Sequence, residues 1–476
     1  MSKPDSFLKS VSTLLSGTLL SMVVSLIAQV ILARFFNEEA FGILATFQAL
    51  VTTFSIVASL RFEDALALPR RMQGSANVYV LATLTSLLFS GLIAVLLSWD
   101  VVLRDWLRAE TLMDFRALIV ATIFLSAQIR ILELWLTRTR AFRKISIGRV
   151  VLNIGTSSGQ LAAGLFRLGA GGLMGGALLG RLMSVLSLGF SIVMPNRGLI
   201  RRAIDLRYLA VTLRRYYAFA LYTMPAALLN TLPPQITILG LNYFFGKAAV
   251  GLYDRGYRYL VIPAGLLGNA VSQVFLAHAA EHVRQGHIAQ TTSRMVVRLF
   301  ALGIFPTIAV MISGPHLYRL LLGEGWYWAG EYARYLAPWL FLATIASPIT
   351  ILFDVLQKQR LDLIFSLLIF GVQATALGIA ATSGDPLTTV MWVSFSGVAL
   401  RLFHLGMMLR LVHAGVGLWL PQVAKLLLFC VPSALIQTWA QSTQNDWVIM
   451  AAFLFGFGIF GFFIFRFGKE MLTAEV

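Results

Sequence analysis

Seven basic side chains fall inside long apolar stretches of this 476-residue chain: Arg130, Arg149, Arg181, Arg258, Arg298, Arg401 and Lys425. An ionised group near the centre of a bilayer costs roughly 2.5–3.5 kcal/mol on insertion scales, so such a residue faces a cavity or a partner. Near a helix end it can instead stretch to the headgroups. Arg149, Arg298 and Lys425 stand near expected cytoplasmic helix ends and fit the second description. Arg130 and Arg181 stand deeper and fit a cavity or an ion pair. Glu133 follows Arg130 by three positions on one helix face, so a structural Arg130–Glu133 pair stands beside the cavity reading.

Two further stretches carry chemistry-bearing residues. In SLRFEDALALPRR, residues 59–71, an apolar run continues across Arg61, Glu63 and Asp64 until Pro69. As a helix, residues 43–68 would reach about 39 Å, beyond the roughly 30 Å hydrocarbon core, which would set these charges at the inner mouth of a cavity. The alternative is a solvated loop with its own ion pair. HAAEH, His278 to His282, matches a zinc-peptidase pattern. No third ligand accompanies it and it falls at a span's cytoplasmic end, so no metal is expected. The chain contains no G-x-x-x-x-G-K-[ST], which excludes P-loop ATP hydrolysis and implies no cofactor. Any uphill transport draws on an ion gradient or on the substrate gradient itself. The single cysteine, Cys430, offers no disulfide framework and reads as a packing residue.

The elements that must position these residues follow from composition. With 58% hydrophobic and 12% charged residues, the chain reads as an all-α polytopic membrane protein. Runs of about 20 apolar residues predict spans near 11–33, 43–60, 77–98, 117–136, 148–166 and 172–194, then 217–242, 257–280, 296–314, 335–356, 363–381 and 387–409, then 419–440 and 447–465. The first follows Lys3 and Lys9 and is too long for a signal-peptide core. This set of about fourteen helices gives a six-helix lobe over 1–195, a linker at 196–216, a second six-helix lobe over 217–412 and two additional helices over 413–476. With the N-terminus inside, the segments between spans carry 22 Lys and Arg on the cytoplasmic side against 9 outside. Both termini are therefore expected in the cytoplasm. The net charge of +17 is mostly this topology signal, and nucleic acid is not an expected partner.

The lobes carry a repeat. Leu32, two positions before RFFNEEAFGIL, and Phe35, Phe36, Ala40 and Gly42 within it recur 209 positions later as Leu241, Phe244, Phe245, Ala249 and Gly251 around YFFGKAAVGLY. Six intervening helices put both copies on the outer face, as expected for a same-orientation duplication of six-helix halves. In the linker, Leu199, Ala203, Leu206, Ala210 and Leu213 share one helical face opposite Arg201, Arg202, Arg207, Arg214 and Arg215, which predicts an amphipathic helix on the anionic inner leaflet. Pro225, Pro233 and Pro234 in the seventh span predict a bent, hinge-like helix, with a merely tolerated kink as the alternative. Gly172, Gly176 and Gly180 predict close helix packing.

Three stretches, residues 32–69, 232–281 and 330–360, together resemble the polysaccharide transporter family, the O-antigen (Wzx-type) flippases, in the superfamily that also holds lipid II flippases and multidrug exporters. The resemblance implies a two-lobed, V-shaped helical bundle that moves an undecaprenyl-pyrophosphate-linked oligosaccharide across a bacterial cytoplasmic membrane. It implies membrane lipids as surroundings, with a polysaccharide polymerase and a chain-length regulator as partners. Arg61 and Glu63 match the family's Arg-aromatic-Glu position, and Tyr257 and Arg258 its Tyr-Arg position. Arg61, Arg130, Arg181, Tyr257 and Arg258 are thereby the expected headgroup-binding residues, with Glu63 and Asp354 as candidates for ion coupling. Asp254-Arg255, where the family is apolar, and fourteen spans, where twelve are common, depart from the pattern.

Two other classes stand beside this reading. A multidrug or small-molecule cation antiporter of the same fold would want an acidic cavity, whereas the charges within the spans lean basic. A polysaccharide polymerase or ligase, an enzyme, would carry a large outer catalytic loop, whereas the longest here, 99–116 and 315–334, are short.

Overall fold

The computed structural model describes residues 24–284 and 287–467, leaving out the side chains of 266–284, Asp354, Gln359 and Phe467. The first expected span therefore lies partly outside the described residues, and the His278–His282 side chains lie wholly outside them. Every regular element among the described residues is helical. In unit order they are α1 (Val24–Phe35), α2 (Glu38–Ala58), α3 (Met72–Ser98), α4 (Arg116–Arg138), α5 (Phe142–Leu165), α6 (Gly169–Ala203), α7 (Leu206–Ala218) and α8 (Met224–Phe245). They continue as α9 (Lys247–Arg284), α10 (Ile288–Leu322), α11 (Tyr327–Ile349), α12 (Ile351–Val355), α13 (Gln359–Ala381), α14 (Pro386–Leu411), α15 (Leu420–Ser442) and α16 (Asp446–Phe467).

Among the described residues, ten helical stretches are long and apolar enough to cross a membrane. The helices α5, α8 and α9 coincide with three more expected spans, their apolar character diluted by serine, glycine, arginine and proline, and α1 is the described part of the first. Internal contacts divide the chain into two compact units, Met1–Gly251 and Leu252–Val476. This grouping differs from the boundaries at 195 and 217 read from the sequence, because α8 packs on α2 and so joins the first unit.

Two local expectations are corrected. The second span does not run on to Leu68: α2 ends at Ala58, Leu60 and Arg61 take positive φ (51° and 60°), and Phe62–Ala67 forms a separate 3₁₀ turn. The linker is not one amphipathic helix. The helix α6 continues through Pro195 to Ala203, and the chain breaks at Ile204 before Asp205 caps α7. Proline removes the donor that would have served the carbonyl four residues earlier. Here that carbonyl, on Ser191, accepts from Lys144 Nζ at 3.4 Å. Likewise the Met311 carbonyl, freed by Pro315 in α10, accepts from Arg334 Nε at 2.8 Å. The expected bend of the seventh span falls in α8, which stays helical through Pro233 and Pro234, while Pro225 lies in its first turn, directly after a π-helical turn over Phe219–Thr223.

In the first unit, Trp135, Tyr79, Ile131 and Leu188 belong to a core shared by α3, α4 and α6, on which α7 rests through Leu209 and Tyr216. The glycine row packs α6 on α5 as expected, since a Cβ on Gly176 would stand 2.6 Å from the Gln160 backbone nitrogen. In the second unit α15 and α16 pack on α10, with Phe305 stacked on Phe460 at 5.5 Å and Cys430 buried in the same apolar cluster. Asp446, at the start of α16, binds Arg319 of α10 (2.6 Å) and His316 (2.9 Å).

Candidate functional site

The early end of α2 decides the site in the first unit. The chain folds back after Ala58, and Glu63, 2% exposed, is brought under α4. There Arg130 Nε lies 3.3 Å from Glu63 Oε1 and its Nη2 3.2 Å from Asp64 Oδ1. Arg61 reaches the same two carboxylates at 3.6 and 3.7 Å, and the Ser59 hydroxyl donates to Glu63 Oε2. These charges form a compact network with an ion pair of their own, but a buried one, unlike the solvated loop that was the alternative.

The face of α4 that carries Arg130 also carries Ser126 and Glu133, at helical spacings of four and three. Ser126 accepts from Arg181 Nε at 2.9 Å, and Arg181 Nη1 donates to the Ala177 carbonyl at 2.9 Å. Glu133 takes Arg149 from α5 at 2.8 and 3.3 Å. The expected Arg130–Glu133 pair is therefore corrected: Arg130 turns to the carboxylates after α2. Arg149 has an ion partner, where the sequence suggested that it stretches to the headgroups. Arg61, Arg130 and Arg181 are thus brought onto one side of α4, and the half-exposed Arg130 is open to solvent on that side. Three guanidinium groups, those of Arg61, Arg130 and Arg149, meet three carboxylates here, and Arg181 bonds neutral groups beside them.

The second unit holds a smaller and drier network. Asp254, 2% exposed, receives Arg255 (Nε 3.1 Å) and Arg258 (Nη2 2.8 Å, Nε 3.2 Å). All three lie within the first turns of α9, so the departure from the family pattern is an internal counter-charge for the expected Arg258. Tyr257 stacks on Tyr253 at 5.7 Å and meets Trp339 of α11 at 6.4 Å. Asp354 belongs to α12, and its side chain lies outside the described residues. Sequence reasoning missed Ser126 and Trp339. Ser126 was findable as the polar residue one turn before Arg130, whereas nothing in the sequence ties Trp339 to Tyr257. No group of acidic, histidine or cysteine side chains among the described residues is arranged to hold a metal ion.

A family model described as polysaccharide biosynthesis protein matches residues 31–329. The teichuronic acid biosynthesis protein TuaB of Bacillus subtilis (strain 168) is 24% identical over 187 residues, a match spanning 38% of each chain. Among solved structures, the lipid II flippase MurJ in an inward closed conformation superposes with a TM-score of 0.75 at 13% identity, over 96% of this chain and 98% of that one. An inward-facing multidrug resistance MATE family transporter of the MOP superfamily superposes with a TM-score of 0.63 at 13% identity, over 83% of this chain and 95% of that one. At these identities the superpositions establish the fold.

Proposed function

This chain belongs to the polysaccharide biosynthesis protein family, and from that premise we propose that it is a flippase. It carries an undecaprenyl-pyrophosphate-linked saccharide from the inner to the outer face of a bacterial cytoplasmic membrane by alternating access, with both termini in the cytoplasm. The fold is that of the MOP superfamily, whose solved members include a lipid flippase and drug exporters, so fold alone does not choose the cargo. The observation that carries the choice is the guanidinium-rich set of side chains among apolar helices: among the described residues Arg61, Arg130, Arg149 and Arg181 gather beside three carboxylates, and Arg255 and Arg258 share Asp254.

A pyrophosphate-linked sugar cannot cross hydrocarbon unaided, because its charges and hydroxyls would lose their hydration. Guanidinium forks match phosphate oxygens in pairs, so a basic, water-filled path lowers that barrier while the lipid tail stays in the bilayer. Arg61, Arg130, Arg181, Tyr257 and Arg258 are the proposed headgroup contacts. Glu63 is the proposed coupling group, with Asp354 as the second candidate, and the prolines of α8 are the proposed hinge. The test is to delete the gene in its host and locate the lipid-linked repeat unit across the two membrane faces. Complete single units accumulating on the inner face support the flippase. Their normal appearance on the outer face would sink it, pointing to a polymerase or ligase if chains fail to grow and to an exporter of other cargo if they grow as before.

A further inference from the structure

In the second unit Arg255 and Arg258 already share the Asp254 carboxylate. Arg401 is placed differently. It lies within α14, partly buried, and among the described residues it meets no carboxylate. What lies within its electrostatic reach is the Tyr257 phenol and the imidazole of His404, three positions on, and neither offers a negative charge. His404 is 2% exposed and lies between Phe353 (5.8 Å, 11°) and Phe365 (4.7 Å, 26°), with no hydrogen-bond partner at either ring nitrogen.

The backbone is shaped to bring Arg401 here. A Cβ on Gly397 would stand 2.6 Å from Trp339 Cδ1, so glycine lets α14 lie close on α11 at that level. Arg401 follows one turn later, and Trp339 in turn touches Tyr257. The result, among the described residues, is a cation without a counter-ion beside aromatic faces. An unpaired guanidinium in an apolar helix leaves its charge uncompensated until an anion arrives. Its planar fork takes a phosphate or a carboxylate in paired hydrogen bonds, and the rings beside it can carry the C–H face of a sugar.

We infer that Arg401, with Tyr257 and Trp339 beside it, is an oxyanion-binding site for the phosphate or uronate group of a carbohydrate headgroup. The carbohydrate part rests on the flippase reading; the anion site does not. The first unit offers a counterpart: Arg181 of α6 bonds only the Ser126 hydroxyl and the Ala177 carbonyl and likewise meets no carboxylate among the described residues. In the order of spans, α6 and α14 each close a set of six.

The test uses the full chain in detergent, titrated with inorganic pyrophosphate and, separately, with glucuronate, and read by tryptophan fluorescence, with Trp339→Phe locating the signal. Wild type should bind at least one probe saturably. Arg401→Gln should weaken it at least tenfold and Arg401→Lys restore part of it, with the thermal midpoint of Arg401→Gln unchanged or raised. The probe preferred tells phosphate from uronate. Arg401→Gln binding both probes like wild type overturns the proposal, and so does an absence of saturable binding in wild type. A midpoint lowered alike by Arg401→Gln and Asp354→Asn, at unchanged probe affinity, would make Arg401 a structural partner of Asp354 and also overturn it. If the deletion experiment removes the flippase reading, Arg401-dependent anion binding would still stand.

Discussion

Gly42 and Gly251 lie against each other where α2 meets the first turn of α9, and the contact is reciprocal. A Cβ on Gly42 would overlap the Lys247 carbonyl oxygen and stand 3.1 Å from the Gly251 nitrogen; one on Gly251 would overlap the Glu38 carbonyl oxygen and stand 3.0 Å from the Gly42 nitrogen. Glu38 and Lys247, like the two glycines, are 209 positions apart, so each copy of the duplicated loop presents the same surface to the other. Burial repeats as well: Leu32 and Leu241 are both 0% exposed, and Phe35 and Phe244 are 48% and 47% exposed. This is the geometry of a two-fold, self-complementary interface built inside one chain.

Adding a methyl group at either glycine meets backbone, which cannot rotate away. Gly42→Ala and Gly251→Ala should each destabilise by at least the 1–3 kcal/mol typical of overpacking. Because both relieve one contact, the double variant should cost clearly less than the sum. Thermal unfolding of the three variants checks this, and strict additivity would mean the glycines act separately. Removing the neighbouring Lys247–Glu39 pair (3.0 Å), half-exposed on both sides, should by contrast cost no more than about 1 kcal/mol.

Glu63 accepts from Ser59 and Arg130, has the Arg61 guanidinium 3.6 Å away and is nearly sealed from water. Breaking a fully buried pair costs about 3–5 kcal/mol, but half of Arg130 is exposed and screened. Glu63→Gln should therefore cost on the order of 2 kcal/mol, and Asp64→Asn less, since Asp64 is more exposed. In vesicles with an imposed proton gradient, transport by Glu63→Gln should lose its response to that gradient. A response equal to wild type would leave Glu63 a structural group only.

Asp254 is a counter-charge of Arg255, which is 1% exposed. Asp254→Asn breaks that buried pair and should cost about 3–5 kcal/mol. Arg258→Gln leaves the Asp254–Arg255 pair in place and should cost less. The ranking of thermal midpoints decides: equal losses would mean that Asp254 matters chiefly through Arg258.

Outside the spans, Asp385 caps α14 by accepting from the backbone of Leu387 (3.3 Å) and Thr388 (2.8 Å), and from the Thr388 hydroxyl. The Thr388 hydroxyl above all, with the two backbone donors, holds its carboxyl below the usual carboxylate range. A folded pKa below the unfolded one means that the contribution is complete above about pH 4 and fades as pH falls through the folded value. Asp385→Ala should cost about 1 kcal/mol at pH 7, with the gap to wild type narrowing in melts taken below pH 4.

The helices were legible because a bilayer demands about 20 apolar residues per span whatever the packing. The repeat was legible because glycine and the flanking apolar residues were kept at the same offset in both copies, whereas the packing of Gly42 on Gly251 was not read from it. What hid the ionic network was a backbone turn: Leu60 and Arg61 adopt positive φ although neither is a turn-forming type. Without that turn, Glu63 and Arg130, 67 positions apart, have no reason to meet, and Glu133 is the natural guess for Arg130. Arg401 was visible as one of seven charges within spans, but sequence shows which residues are present and not which partner is missing from around them. Pro195 hid the true end of α6 because the compensating donor, Lys144, lies on another helix.

The helix α7 separates two demands that the sequence merged into one face. Leu209, Thr212 and Tyr216 are buried on the first unit, while Leu206, Leu213 and Tyr217 stay exposed along an adjoining stripe with Arg207 and Arg214 flanking it. An exposed apolar stripe edged by arginines suits the boundary between acyl chains and anionic headgroups, where each basic residue near the surface is worth about 1 kcal/mol. Anionic lipid should therefore raise the thermal midpoint of the purified protein more than neutral lipid of the same chain length. Replacing Arg207, Arg214 and Arg215 by Gln should remove most of that difference, and raising the salt concentration should shrink it in wild type. A difference that survives both treatments would mean that the arginines of α7 do not read the membrane surface, and that the apolar stripe alone holds the helix there.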